Sequence, residues 1–478
     1  MLSRCHGSGC TRPYAQLGNK RSCSNGHCPI TGLQDHCRPF PGRRTPVPPR
    51  RDVIGTVLSS QESLFLSRHY DFPVAIDQVQ FLEELVRIPS VSAFGERGVV
   101  RQNYRKAADT VARYAAEAGL EVKVEDLLGG EIPTVLVSLP EKASGKPSVA
   151  FVTHYDVVPA RAPWLVEGRE VDPFEPLVIG GKVYGRGAAD DKSAIVATIC
   201  GLADIGSARE LRYNPVVVVT GDEEVGGTGV RALLDKGYRW DRVIIVDSGS
   251  EYVSIGASGV IAGWIKVTGR SGHAGYPHQA RNAAEELVEL LSELKSFKVK
   301  RASKLSRLPA PPGSPVSRVW GRFSLTILKL PPSEPEKHNR IPGEAWAGFD
   351  MRLLPEESVE EGLRELFEAF SSAIATSRVQ AVLEVVAAQR GWYAKNEEFV
   401  SEVLAAARQA YRDAGLEGDV GLAGELGGND GTYFDAKGMD VVAFGTIRSG
   451  TNIHSEGEFV YVKDIEMYRY FMRRLLSG

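Results

Sequence analysis

Five short stretches of the chain put carboxylates or imidazoles directly after apolar runs or glycine turns. In SVAFVTHYDVVP, His154 and Asp156 stand two residues apart, which in an extended segment sends both side chains to one side. VYGRGAADDKS carries Asp190 on a turn whose Gly185 and Gly187 permit close backbone approach to a ligand. PVVVVTGDEEVGG ends an apolar run in Asp222, Glu223 and Glu224. Like charges this close raise one another's proton affinity unless a cation neutralises them. RVIIVDSG adds Asp247, and SGTNIHSEGEF adds His454 beside Glu456. Each stretch has a blander reading, a loop carboxylate or a helix N-cap at Asp190 or Asp191, and that reading weakens as the sites accumulate. Two imidazoles with three or four carboxylates form a mixed N/O set suited to zinc, with cobalt and manganese allowed by ligand type. One carboxylate can bridge two ions, and ions about 3.5 to 4 Å apart activate a shared water and polarise a carbonyl. Because Glu223 and Glu224 are adjacent, one can ligate while the other shuttles protons.

These residues need strands to deliver them. Periodicity begins with a helix whose Ile76, Val79, Leu82, Leu85 and Val86 share a face, and a second helix is predicted from Asn103 to Ala118, stopped by Gly119. The continuous apolar runs Ser148 to Thr153, Pro215 to Thr220 and Arg242 to Val246 suit buried strands of a mostly parallel sheet. Ligand sites in such sheets gather outside the carboxyl ends of the strands. After Ser258 the pattern changes to strands near 260–267, 318–328, 344–352 and 379–386, with helices near 282–294 and 358–375. That β-α-β-β-α-β order is ferredoxin-like, and the Pro- and Ser-rich Ala302 to Pro315 reads as a loop within it. From Asn396 the first pattern resumes. The fold expected is α/β, a mixed and mostly parallel central sheet flanked by helices, formed by 71–258 and 391–478, with an α+β domain inserted at 259–390.

The formal charge of −3 is uneven, because the first 51 residues hold nine Lys or Arg against one acidic residue, Asp35, and the remainder carries −11. An acidic body argues against nucleic acid as a partner, and no apolar run is long enough to span a bilayer. Cys5, Cys10, Cys23, Cys28 and Cys37 all lie in that opening stretch, leaving Cys200 alone in the body, which fits a reducing cytoplasm. The spacing of Cys5, Cys10, Cys23 and Cys28 matches a zinc knuckle only loosely. Residues 1–70 lack periodicity and read as a disordered tail or as translated upstream sequence, and the latter is favoured.

The five stretches, in this order over roughly residues 74 to 478, resemble the metallopeptidase family that contains acetylornithine deacetylase, succinyl-diaminopimelate desuccinylase, aminoacylase, glutamate carboxypeptidase and carnosine-type dipeptidases. The resemblance implies two zinc ions. It makes His154 a ligand of one, oriented by Asp156, Asp190 the bridging ligand, Glu223 the general base and Glu224 a ligand of the second ion. Asp247 would complete the first site and His454 the second. It further makes 259–390 a lid and dimerisation domain, in which His273 of GRSGHAGYP reaches the scissile carbonyl, in dimeric members from the neighbouring subunit. Asn339 and Arg352 would bind the substrate's carboxylate end, and Gly428, with Gly427 and Asp430, would pack against substrate. For Arg352 an ion pair with Asp350 or Glu344 is the competing interpretation. Ser193 departs from the family's usual Gly without removing a ligand. The implied substrate is a dipeptide or an N-acyl amino acid, and the alternatives are succinyl-diaminopimelate desuccinylation or acetylornithine and acetyl-lysine deacetylation. Asp247 leans toward the dipeptidases, where acylases and desuccinylases tend to carry Glu. A non-catalytic binding protein on the same fold is the reading of another class, which loss of Glu223 would have favoured.

Overall fold

The computed structural model describes residues 76–92, 97–206 and 211–477. The expectations for 1–70, including its cysteines, lie outside the described residues.

A nine-stranded sheet carries the architecture. At its centre Asn214–Thr220, Ser148–His154, Arg242–Ile245 and Asp440–Ala443 run side by side and parallel. Antiparallel strands flank them: Ile132–Ser138 and Glu121–Leu127 on one side, Tyr252–Ala257 on the other. The central runs are valine- and isoleucine-rich because both faces are covered. One face packs against the helices Gln78–Val86, Arg97–Glu117, Lys192–Ile205, Glu397–Asp413 and Val462–Ser477, and the other against Thr228–Asp235 and Gly431–Ala436. The first helix starts where Asp77 accepts hydrogen bonds from the amides of Val79 and Gln80, and it buries Phe81, Leu82, Leu85 and Val86. No helix among the described residues is long and apolar enough to cross a membrane.

At Ser258 the chain leaves this sheet for a second one of four antiparallel strands, ordered Arg322–Lys329, Glu344–Leu353, Gly259–Thr268, Ala381–Gln389. The helices Ala283–Glu293 and Val359–Ser377 connect these strands, which is the ferredoxin-like order, and Trp392–Tyr393 returns the chain to the first sheet. The strand Gly259–Thr268 alternates buried with half-buried residues up to Val267, so Ile261, Ile265 and Val267 face the helices while Trp264 and Lys266 face away.

The stretch read as a loop, Ala302 to Pro315, is more ordered than its prolines suggested. A helix covers Lys295–Ala302, and Leu305–Pro309 forms a hairpin with Arg318–Trp320. Ser306 and Leu308 point inward there, a period-two signal masked by the neighbouring prolines, and Glu356 accepts hydrogen bonds from the Ser306 hydroxyl and the Arg307 amide. The second helix begins at Arg97, before the expected Asn103, because its polar first turns carry little periodicity.

Candidate metal centre

Three neighbouring parallel strands end together at the carboxyl edge of the central sheet, and each delivers part of one cluster. Ser148–His154 ends on His154, Asn214–Thr220 runs into the turn bearing Glu223 and Glu224, and Arg242–Ile245 leads to Asp247. Asp190 comes from the turn ahead of the helix Lys192–Ile205, across a cis peptide to Asp191. His454 arrives from the loop before Phe459–Tyr461.

Among the described residues two groups offer three ligand atoms mutually within 4.8 Å: His154, Asp190 and Asp247, and Asp190, Glu224 and His454. Asp190 belongs to both. Its Oδ1 lies 3.2 Å from His154 Nε2, and its Oδ2 lies 3.0 Å from His454 Nε2, which is itself 3.2 Å from Glu224 Oε1. Asp247 Oδ2 stands 3.9 Å from His154 Nε2. That nitrogen is buried and makes no aligned hydrogen bond despite the carboxylate beside it. A buried imidazole nitrogen aimed between two carboxylates suits a cation, since an unsatisfied buried polar atom is otherwise costly.

Asp156, fully buried, does two jobs. His154 Nδ1 lies 3.0 Å from the Asp156 backbone carbonyl and 3.3 Å from its carboxylate Oδ1, so Asp156 orients the imidazole through the nitrogen turned away from the cluster. Its two oxygens also accept the amide protons of Glu223 and Glu224, each at 3.2 Å, which fixes the turn carrying both glutamates. Asp191 occupies the helix N-cap position but caps no helix amide. Its carboxylate accepts the His154 amide at 3.2 Å instead, so the bland N-cap reading fails there.

The electrostatics follow from burying this many carboxylates. Burial raises the proton affinity of Glu223 well above the usual carboxylate range, and the charges of Asp430 and Asp247 add to it. Asp247 is raised for the same reason, with Asp190 as the main neighbouring charge. Burial opposes protonation of His154, yet Asp156 and Asp190 hold its affinity well above that of a free imidazole. His454 is raised to about 10 by Asp190 and Glu224.

The cluster opens into a cleft of about 660 Å³ lined by Asp190, Glu223, Glu224, Asp247, His454 and the glycine turn at Gly427 and Gly428. Gly428 thus joins the site, and Asp430 beside it is buried and raised to about 7 by that burial. His273, Asn339 and Arg352 are not brought there. His273 is exposed, its Nδ1 accepts the Gly275 amide at 3.0 Å, and the next-door Asn339 carbonyl accepts the Ala274 amide at 2.9 Å. Arg352 Nε donates to Asp350 Oδ1 at 2.8 Å, the competing interpretation of that residue. Arg322, unanticipated, sits opposite Arg352 in register and donates to the Leu426 carbonyl of the glycine turn.

Two further residues were missed. Glu458 and Arg186 are buried partners, and Glu458 Oε1 accepts the amides of Ala189 and Asp190 at 3.0 and 3.1 Å. GRG and SEGEF each place a charged residue beside glycine, but no local pattern pairs positions 272 residues apart.

The sequence model of Peptidase family M20/M25/M40 matches residues 150–478. A succinyl-diaminopimelate desuccinylase of Caulobacter sp. strain K31 is 34% identical over 222 residues, 44% of this chain and 52% of that protein, so the chain spans about half the length of that relative. A protein of the same name from Thioalkalivibrio sulfidiphilus is 28% identical over 70% of this chain and 85% of its own length. The crystal structure of human carnosine dipeptidase 1 superposes with a TM-score of 0.64 at 20% identity, covering 83% of this chain and 96% of that one, a likeness of fold.

Proposed function

Since the chain belongs to Peptidase family M20/M25/M40, we propose that it is a binuclear metal-dependent hydrolase that cleaves the amide bond of small dipeptides or N-acyl amino acids. The observation that carries this reading is the pair of three-residue groups sharing Asp190. His154 and Asp247 would hold one ion, Glu224 and His454 the other, and Asp190 would bridge them. The mixed N/O donors fit zinc, with cobalt and manganese as substitutes. When bound, such an ion pair supplies positive charge that acidifies water and polarises a carbonyl.

Glu223 lies outside both groups and faces the cleft. It takes the proton of the attacking water on its carboxylate and returns it to the departing amide nitrogen. Asp156 keeps His154 oriented and holds Glu223 beside Glu224 through their amides. Gly428 lets substrate pass close to backbone. Residues 259–390 act as a lid, which brings His273, Asn339 and Arg352 to substrate on closure. Arg352 then exchanges its bond to Asp350 for the substrate carboxylate, a match for its fork of donors.

The same domain supports a homodimer. Its edge strand Arg322–Lys329 exposes Leu325, Ile327 and Leu328 at 43, 45 and 64%, and the helix Ala283–Glu293 exposes Val288 at 68%. Unprotected apolar edge strands are normally covered. Sedimentation should give a dimer that Leu328→Glu dissociates with loss of turnover, and a fully active monomer would exclude any role for His273 across the interface. We place the protein in the cytoplasm, acting on small molecules.

The deciding experiment is a hydrolysis screen of metal-loaded protein against dipeptides, N-acetyl-ornithine, N-acetyl-lysine and N-succinyl-diaminopimelate. No turnover on any of them, with ions bound, would favour the non-catalytic alternative.

A further inference from the structure

We propose that Glu458 and Arg186 form a positioning clamp that sets the separation of Asp190 and His454, and with it the affinity of the second metal position. This rests on the reading of the centre given above.

The His454 loop is closed by its own hydrogen bonds, from the Ser455 amide to the Asn452 carbonyl at 3.0 Å and from the Phe459 amide to the Thr451 carbonyl at 3.1 Å, but it holds a costly backbone conformation. His454 sits at φ 59° with its side chain half exposed, and Asn452 lies at φ 56°, both in the left-handed region that costs non-glycine residues energy. Such a conformation persists only where the surroundings impose it. Besides the loop's own bonds, the turn that carries Asp190 ties it down. Arg186, on that turn between Gly185 and Gly187, sends one guanidinium nitrogen to the carbonyl of Ser455, the residue after His454, at 3.3 Å. Another guanidinium nitrogen of Arg186 pairs with Glu458 Oε2. Glu458 Oε1 then reaches back to the amides of Ala189 and Asp190, and its carbonyl accepts the Gly185 amide at 2.9 Å.

The hydrogen bonds therefore close a ring. It runs from His454 through the Ser455 carbonyl to Arg186, on to Glu458, and into the backbone of Asp190, whose Oδ2 faces His454 Nε2. Glu458 is 0% and Arg186 3% exposed, and Trp164 lies under the guanidinium at 5.3 Å. Both charges are withdrawn from water, so removing one leaves the other buried and unpaired. A charged pair held at that cost and bonded to two amides of the ligand turn fixes where the ligands stand. Of the first group, His154 and Asp247 are placed by strands of the central sheet, and only the shared Asp190 touches the ring.

The test is stepwise calorimetric titration of zinc into chelator-stripped protein, with apo-protein melting recorded in parallel. His454→Ala identifies which binding step belongs to the second position. Glu458→Gln keeps the Oε1 acceptor but loses the charge toward Arg186, and Arg186→Lys keeps the charge but offers a single nitrogen. We expect both variants to weaken the second step by at least about tenfold, the lower end for residues that orient metal ligands, and the first step, which shares only Asp190 with the ring, by clearly less. The apo melting temperature should fall in Glu458→Gln, which leaves Arg186 buried and unpaired, and fall less in Arg186→Lys, which keeps the charge pair. Arg186→Lys, which retains one contact, should lie between wild type and Arg186→Met. Equal weakening of both steps, or an unchanged second step, overturns the clamp. A wild type that binds fewer than two ions would instead overturn the reading of the centre, and that outcome is visible before any variant is made.

Discussion

Replacing Glu223 by Gln separates proton transfer from metal binding. Glu223 belongs to neither three-residue group, while its neighbour Glu224 stands 3.2 Å from His454 Nε2. Gln keeps the size of the side chain and removes its charge from a pocket where burial, Asp430 and Asp247 already disfavour that charge. The fold and the ion count should therefore survive. What disappears is the acceptor for the water proton. Loss of a positioned general base costs about 10² to 10⁴ in rate, and each tenfold corresponds to about 1.4 kcal/mol of barrier. We expect kcat to fall at least about a hundredfold, or about 2.7 kcal/mol, with KM nearly unchanged. Glu224→Gln removes an anionic ligand and should lower the metal content to one ion. Elemental analysis of dialysed protein alongside steady-state kinetics reads both quantities. If Glu223→Gln lost an ion yet kept its turnover per bound ion pair, the assignment of the two glutamates would be wrong.

The remaining predictions concern selectivity, protons and backbone. Beyond the cluster the cleft is walled by Glu251, Glu425 and Arg448, and Arg448 is already held by Asp464, so an ammonium on the acyl side should be preferred to a succinyl carboxylate. Dipeptides with a free amine should exceed N-succinyl substrates by at least about tenfold in kcat/KM, about 1.4 kcal/mol. The margin should widen as pH rises through about 7, where the Glu425 carboxyl, raised by burial, ionises. A better succinyl substrate refutes this. Asp190 and Glu224 raise His454 to about 10, so at pH 8 its metal-free ring is charged and an ion must expel the proton. Calorimetric heats should accordingly differ between buffers of different ionisation enthalpy, and equal heats would contradict the ligand assignment. In the metal-free fold the same raised affinity gives stability that is complete below the unfolded value near 6.5 and is lost as pH passes about 10. Finally, a Cβ on Gly445 would lie 1.8 Å from the Val246 carbonyl oxygen and 2.5 Å from that of Ser248, which flank Asp247. Gly445→Ala should destabilise by about 3 kcal/mol and weaken the first metal position, and an unshifted urea midpoint would show the strand can yield.

How much of this was legible in the sequence depends on how far apart the cooperating residues lie along the chain. His154, Asp222 to Glu224 and Asp247 each follow an apolar run, and three such runs in a parallel sheet must end at one edge, so their meeting is legible in the sequence alone. The second sheet was legible for a related reason: alternation in Gly259–Thr268 and capped helices such as Val359–Ser377 are local signals. Arg352 shows where that stops. Its type and place suited a substrate carboxylate and Asp350 equally, and only side-chain geometry reveals the present pairing with Asp350. The hairpin Leu305–Pro309 was lost because prolines carry the same turn signal whether a loop is ordered or not. Glu458 and Arg186 are the clearest case. A charged residue in a glycine-rich stretch reads as surface, since unpaired charges are rarely buried, and burial became affordable only because a partner 272 residues away arrives with the opposite charge. The residues proposed to hold metal could be found by type, while those that hold them in place are defined by contacts that local sequence does not encode.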